Sequence, residues 1–199
     1  MRLPETAAFS VTEGRYRNSM KKLVTCGEMK NLDSATIHKI GVASEVLMER
    51  AALKVVEETE KYLGKNERIL VVCGSGNNGG DGIAVARIFH LKGIRADFYM
   101  AGNKEKMTRE TTLQYKIATG YHVPEVNNPD WSEYTTIVDA VFGVGLARPI
   151  EGRYAEIIHE MNSARAKKIA VDIPSGVNGD TGLEMGIAFS ADLTVTFAY

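Results

Sequence analysis

The feature that most constrains this chain is the run Ile69-Leu-Val-Val-Cys-Gly-Ser-Gly-Asn-Asn-Gly-Gly-Asp-Gly82. Its first four residues are apolar and mostly β-branched, and they lead straight into glycine. A short apolar run of this kind predicts a strand buried on both faces, as at the centre of a parallel sheet. Ile83, Ala86 and Phe89 follow at helical spacing, which predicts a helix over 82–92. The glycines therefore fall at a strand-to-helix turn, at the carboxyl end of a strand, where open α/β sheets bind their ligands.

Glycine lets a backbone turn tightly and approach a ligand, and free N–H groups at a helix start favour an anion such as phosphate. The spacing Gly74-x-Gly76-x-x-Gly79 matches a dinucleotide fingerprint. The strand predicted at 96–100 nevertheless carries no acid at its end for a ribose. Nor does Gly-Lys-Ser/Thr follow, so the run is not a P-loop. Its polar members, Asn77, Asn78 and Asp81, read either as ligand-facing oxygen donors or as turn residues with Asp81 capping the helix.

The chain of 199 residues is long enough for one domain with a sizeable core. Lys and Arg total 24 against 25 Asp and Glu, a net charge of −1, which argues against nucleic acid as the main partner. Cys26 and Cys73 lie far apart and suggest neither a disulfide framework nor a zinc site, so a reduced, cytoplasmic setting fits best. No apolar run approaches the length of a membrane span. Residues 1–19 lack the apolar core of a signal peptide, and Glu5 and Glu13 count against a transit peptide. They are expected to be an extension ahead of a domain over 20–199, and the chain stops at Tyr199 close to its last predicted strand.

Two helices are predicted before the first strand, over 27–40 and 44–63, with Gly41 ending the first, Ser44 capping the second and Gly64 closing it. They could cover a sheet face or form a dimer contact. Beyond the central turn, strands are predicted at 96–100, 136–141, 168–173 and 191–197, with helices at 108–119 and 152–164. This order predicts a three-layer α/β, Rossmann-like domain with a mostly parallel central sheet and two extra N-terminal helices.

Two more strand ends carry acids: Ile137-Val-Asp139-Ala-Val-Phe-Gly143-Val-Gly145-Leu and Ile169-Ala-Val-Asp172-Ile-Pro174-Ser175-Gly176. Parallel strands end on one edge, so Asp81, Asp139 and Asp172 should converge with Asn78 and Ser175 on one crevice. A carboxylate at the end of a buried strand is costly unless it is paired or coordinated. Singly, Asp139 could merely cap a turn and Asp172 hold the Pro174 loop; together they point to a site. His38, His90, His122 and His159 fall away from this edge. Cys73 reads as a small core residue without a base partner, and Arg148 as a phosphate contact or a solvated side chain.

With these residues in view, Gly74-Ser-Gly-Asn-Asn-Gly-Gly-Asp-Gly82, Asp139-Ala-Val-Phe-Gly-Val-Gly-Leu146 and Val171-Asp-Ile-Pro-Ser-Gly176 together resemble the NAD(P)H-hydrate epimerase family. The likeness runs from about Leu23 to Tyr199, with Val144 where the family commonly has a small polar residue. It implies a repair isomerase that interconverts the R and S forms of NADH or NADPH hydrated at C6 of the nicotinamide ring. Asn77, Asn78, Gly79, Gly80 and Asp81, together with Gly143, Val144, Gly145, Leu146, Ala147, Arg148 and Pro149, would then hold the dinucleotide. Asp172 would meet the reacting ring as substrate contact and acid/base, and Asn78, Asp139 and Ser175 would hold a potassium ion, K+. The resemblance also implies a homodimer, a dehydratase as fused or separate partner, and a family domain continuing past Tyr199. Two other classes compete: a scaffold of this fold without activity, which should lack the acidic cleft, and a hydride-transferring oxidoreductase, which should carry the ribose acid and a Tyr-x-x-x-Lys dyad.

Overall fold

The computed structural model describes residues 24–197, so the expected extension over 1–19 lies outside the described residues. The elements are α1 (Cys26–Ala35), α2 (Ser44–Glu60), β1 (Arg68–Cys73), α3 (Asn77–Leu91), β2 (Arg95–Met100), α4 (Arg109–Gly120), β3 (Thr136–Ala140), α5 (Arg153–Ser163), β4 (Lys167–Val171) and β5 (Leu193–Val195). The strands form one sheet in the order β2-β1-β3-β4-β5, and every pairing is parallel.

Both faces of the sheet are covered, and β1 shows why its sequence is apolar throughout. Ile69, Val71 and Cys73 join Phe98, Val138, Val171 and residues of α2, α3 and α4 in one core layer. Leu70 and Val72 point the other way, into a layer with Ile137, Ala170 and the α5 residues Ile157, Ile158 and Met161. Each strand residue contributes to one layer or the other because side chains alternate along a strand.

The strand order reverses between β1 and β3. In a doubly wound sheet the connections leaving those two strands run to opposite faces, which opens a crevice at their carboxyl ends. Asn77 and Asn78 follow β1, and Gly143 follows β3, so the topology alone brings the first two motifs together.

Several boundaries differ from the sequence expectations. The third helix begins at Asn77 instead of Gly82, and its N-cap is Gly76, so Asp81 is not a cap but lies inside the helix. Glycine is a poor helix former, yet here it serves packing. A Cβ on Gly82 would come within 2.4 Å of the Ala140 Cβ, and one on Gly79 within 1.9 Å of the Gly74 carbonyl oxygen. The run is thus a helix pressed onto β1 and β3, and tertiary contact overrides propensity. Ser44 is the first residue of α2 and not its cap: Ala43 stands at that position, and the Ser44 hydroxyl bonds to Glu45 and Glu110. The same helix stops at Glu60, short of Gly64. The first helix breaks at Thr36–Ile40 into a π-helical turn, which Gly41 ends at φ 86° as expected.

Candidate active site

Asp139 is the most deeply set of the acids. It lies within β3, fully buried, with no ion-pair partner among the described residues. Its Oδ1 accepts from the Ser175 hydroxyl at 2.6 Å and from the Val141 N–H at 3.1 Å, and its Oδ2 accepts from the Ser175 N–H at 2.7 Å. Burial raises its pKa to about 6 against the pull of these hydrogen bonds. The bond from Ser175 ties the loop after β4 to β3, and the Phe142 N–H in turn donates to the Ser175 Oγ at 2.8 Å. This turns the chain so that Gly143 faces the first turn of α3.

Gly143 marks where the motifs meet. A Cβ there would lie 2.8 Å from Asp172 Oδ2 and 3.3 Å from Asn78 Oδ1. Asp172 itself stands just past β4 at φ 67°, a left-handed conformation that Asp tolerates better than most residues. That turn aims its carboxylate back over the crevice, where Oδ2 accepts from the Val144 N–H at 3.2 Å. Burial raises its pKa, with a smaller contribution from the charge of Asp33. Asn78 has both side-chain polar atoms buried and unpartnered. Orphaned buried amides are uncommon, and this one points to a group that the polypeptide does not supply.

Asp81 lies one helical turn beyond Asn78 and makes no hydrogen bond or ion pair among the described residues. Burial, then the charges of Asp172 and Asp33, push its pKa well above the usual carboxylate range. Asp33, on α1, is the acid that sequence reasoning missed. Nothing in sheet topology dictates where an N-terminal helix will lie, so no pattern in the chain singles it out.

The oxygen-rich set Asn78, Asp139 and Ser175 suits a hard monovalent cation: one buried carboxylate, one hydroxyl and one orphaned amide oxygen. Among the described residues no group of three or more His, Cys, Asp or Glu is placed to hold a metal ion, so no thiolate or imidazole cage competes with that reading. The residues present fit the ion.

Comparison with known proteins bears on what such a crevice does. Residues 44–199 match the family described as YjeF-related protein N-terminus. The NAD(P)H-hydrate epimerase of Oenococcus oeni is 49% identical over 178 residues, covering 88% of this chain and 85% of that protein. The chain belongs to the NAD(P)H-hydrate epimerase family. The epimerases of Limosilactobacillus fermentum and Limosilactobacillus reuteri are 43% and 47% identical, covering 90% and 89% of the chain and 86% and 85% of their own lengths. The crystal structure of the yeast protein ynu0 superposes with a TM-score of 0.78 at 24% identity, over 88% of this chain and 79% of that one, and bears on the fold alone.

The epimerase fold thus gathers Asn78, Asp81, Asp139, Gly143, Asp172 and Ser175 on one edge, as the strand-end argument expects. Asn77, Gly145, Ala147, Arg148 and Pro149 are exposed along the rim, while Gly79 and Gly80 are buried in the α3 packing. Val144 supplies a backbone N–H to Asp172, and Leu146 packs its side chain against the α5 layer. Cys73 is fully buried, its thiol pushed far up by burial, which leaves no thiolate to act as nucleophile.

Proposed function

We propose that this chain interconverts the R and S forms of hydrated NADH and NADPH by inverting C6 of the nicotinamide ring, with Asp172 as acid/base. The observation that carries this reading is Asp172 itself: a partly desolvated carboxyl with raised pKa, held by one N–H, opening onto a glycine-lined crevice. The hydrated carbon is a hemiaminal. Proton delivery to its hydroxyl breaks the C6–O bond and releases water, and the ring nitrogen lone pair forms a C=N bond. Water returning to the opposite face, with loss of its proton, inverts the centre. A carboxyl of raised pKa suits both proton transfers near neutrality, and two crowded carboxyls let one hold the proton while the other is ionised.

The dinucleotide would lie along Asn77 to Asp81 and the loop from Gly143 to Pro149, with the N–H groups at the start of α3 favouring its phosphates. Arg148, exposed on that loop, would meet a phosphate. Asn78, Asp139 and Ser175 would hold K+, which would supply positive charge to balance the buried Asp139 carboxylate. We place the protein in the cytoplasm; among the described residues no helix is long and apolar enough to cross a membrane. We also assign it a homodimeric state and a dehydratase as fused or separate partner, following the family resemblance. An inactive scaffold is disfavoured, because every acidic and amide residue of the crevice is present.

A coupled assay tests the reading. A dehydratase that consumes only the S form is given mixed epimers, and the chain is expected to accelerate loss of the R form above its spontaneous rate. No acceleration by folded protein would contradict the reading.

A further inference from the structure

The glycine turn after β1 is gripped from a side that the strand-end motifs do not describe. Helix α4 is capped by Thr108, whose hydroxyl accepts from the Thr111 N–H at 3.2 Å. Thr111 is fully buried, and its own hydroxyl reaches out of the helix. It donates to the Gly76 carbonyl at 2.9 Å, while the Thr108 N–H donates to the Ser75 carbonyl at 3.0 Å. The start of α4 therefore holds two consecutive carbonyls of the glycine turn. A Cβ on Gly80 would lie 2.9 Å from the Thr111 Oγ1, so the bare position 80 leaves the room in which this hydroxyl sits.

The protons of this network can be assigned. A carbonyl only accepts, so the Thr111 proton is committed to Gly76. The two threonine hydroxyls are 2.8 Å apart, and Thr108 must be the donor between them. The Gly76 carbonyl also accepts from the Gly79 and Gly80 N–H groups at 2.9 and 3.3 Å. Three donors thus fix the tilt of the peptide that joins Gly76 to Asn77. In a trans peptide the N–H points opposite to the carbonyl, so the Asn77 N–H is turned away from Thr111. Asn77 is exposed, and neither its N–H nor that of Asn78 has a hydrogen-bond acceptor among the described residues. The same helical turn carries the Asn78 amide, whose polar atoms are buried and unpartnered. Free N–H donors and an orphaned amide together mark this turn as built for a ligand.

Resting on the epimerase reading, we propose that Thr111 is a positioning residue for substrate binding. Through the Gly76 peptide it aims the Asn77 N–H at a phosphate of the dinucleotide, without touching the substrate itself. A peptide plane fixed in advance need not be ordered when the ligand arrives, which favours binding. The phosphates do not change during inversion at C6. The contribution is therefore the same in the bound substrate and the transition state, and it belongs to KM and not to kcat.

The test uses the complete chain as wild type, Thr111→Val, Thr111→Ser and Thr59→Val. Valine keeps the shape of threonine without its hydroxyl, and serine keeps the hydroxyl. Thr59 of α2 is equally buried and its hydroxyl has no partner among the described residues, so Thr59→Val controls for loss of a buried hydroxyl as such. Titration calorimetry with NADPH should find Thr111→Val binding roughly fivefold to tenfold more weakly than wild type, the weight of one hydrogen bond. Its KM for the hydrate should rise by a similar factor with kcat unchanged. ADP-ribose, which has the diphosphate but no nicotinamide ring, should lose the same factor. Thr111→Ser and Thr59→Val should bind both probes as the wild type does. Thr111→Ala, which lacks the hydroxyl without added bulk, carries the same prediction if the valine form does not fold. A purely structural Thr111 would lower the melting temperature and leave the affinity of folded protein unmoved, and that result overturns the proposal. An equal loss in Thr111→Ser or Thr59→Val overturns it as well. Because binding is read directly, the predicted loss supports the proposal even in protein without epimerase activity, where the epimerase reading alone would fail.

Discussion

Asp172 stands at φ 67°, and that single angle decides which substitution is informative. Asn occupies the left-handed region as readily as Asp, so Asp172→Asn should fold with nearly wild-type stability, whereas Asp172→Ala adds backbone strain of about 1 kcal/mol. The Asn variant should lose on the order of 100-fold or more in epimerisation, the usual contribution of a positioned acid/base. Asp139 behaves differently. Its carboxylate receives three N–H and O–H donors, and an amide would turn one donor toward them. Asp139→Asn should therefore cost about 2 kcal/mol in urea unfolding. In the wild type, K+ at neutral pH should raise the melting temperature more than Li+ does. Asn78→Ala, which disturbs fewer bonds, should abolish that difference. Asp139, Asp172 and Ser175 were legible in the sequence because strand ends of a parallel sheet share an edge. Asp33 was not, because nothing in sheet topology fixes where a helix ahead of the first strand will lie.

At the scale of elements, the glycine run shows where sequence pattern misleads. Gly79, Gly80 and Gly82 read as turn residues by composition, yet they form the first turns of α3 because there is no room for side chains: Gly79 lies against the Gly74 backbone, Gly82 against β1 and β3, and Gly80 against Met48 of α2 and Thr111 of α4. Gly79→Ala should thus cost more than 3 kcal/mol, well beyond the ~1 kcal/mol that helix propensity alone would return in its favour. Gly145→Ala, with nothing within 4 Å, should change stability by less than about 0.5 kcal/mol. Thermal unfolding of the pair checks this. The opposite edge of the sheet is pinned by Glu67, which accepts from Gly64, Thr135, Thr136 and Lys167, the residues that begin or precede β1, β3 and β4. Burial would raise this carboxyl, but the Thr135 hydroxyl, the Gly64 N–H, Lys167 and Thr136 outweigh it and bring it down to about 2. A depressed folded pKa gives stability that is present above about 4.5 and is lost as pH falls toward 2. Glu67→Gln should cost about 2 kcal/mol at pH 7, and the gap to wild type should close across that window.

For the whole molecule, the decisive feature is the reversal of strand order between β1 and β3. The β-α alternation in the chain predicted the layers and the parallel sheet, and the burial of β1 on both faces places it as an interior strand. The exact order β2-β1-β3-β4-β5 was not legible, because it depends on which face and in which direction each connecting helix crosses. That order is what sets Asn78 against Gly143 at the carboxyl edge of the sheet. Of the two N-terminal helices, expected to cover a face or form a dimer contact, α2 joins a core layer against the sheet, while α1 buries no residue and is tied at its start to Asp180.

The most direct measurement starts from a single purified epimer of hydrated NADPH and follows its approach to the mixture by proton NMR. The account predicts that the wild-type chain brings the epimers to equilibrium well ahead of the spontaneous rate. Folded Asp172→Asn should still bind the dinucleotide but leave that rate where it stands in buffer. Equilibration by the variant as fast as by the wild type, or none by either, would contradict it.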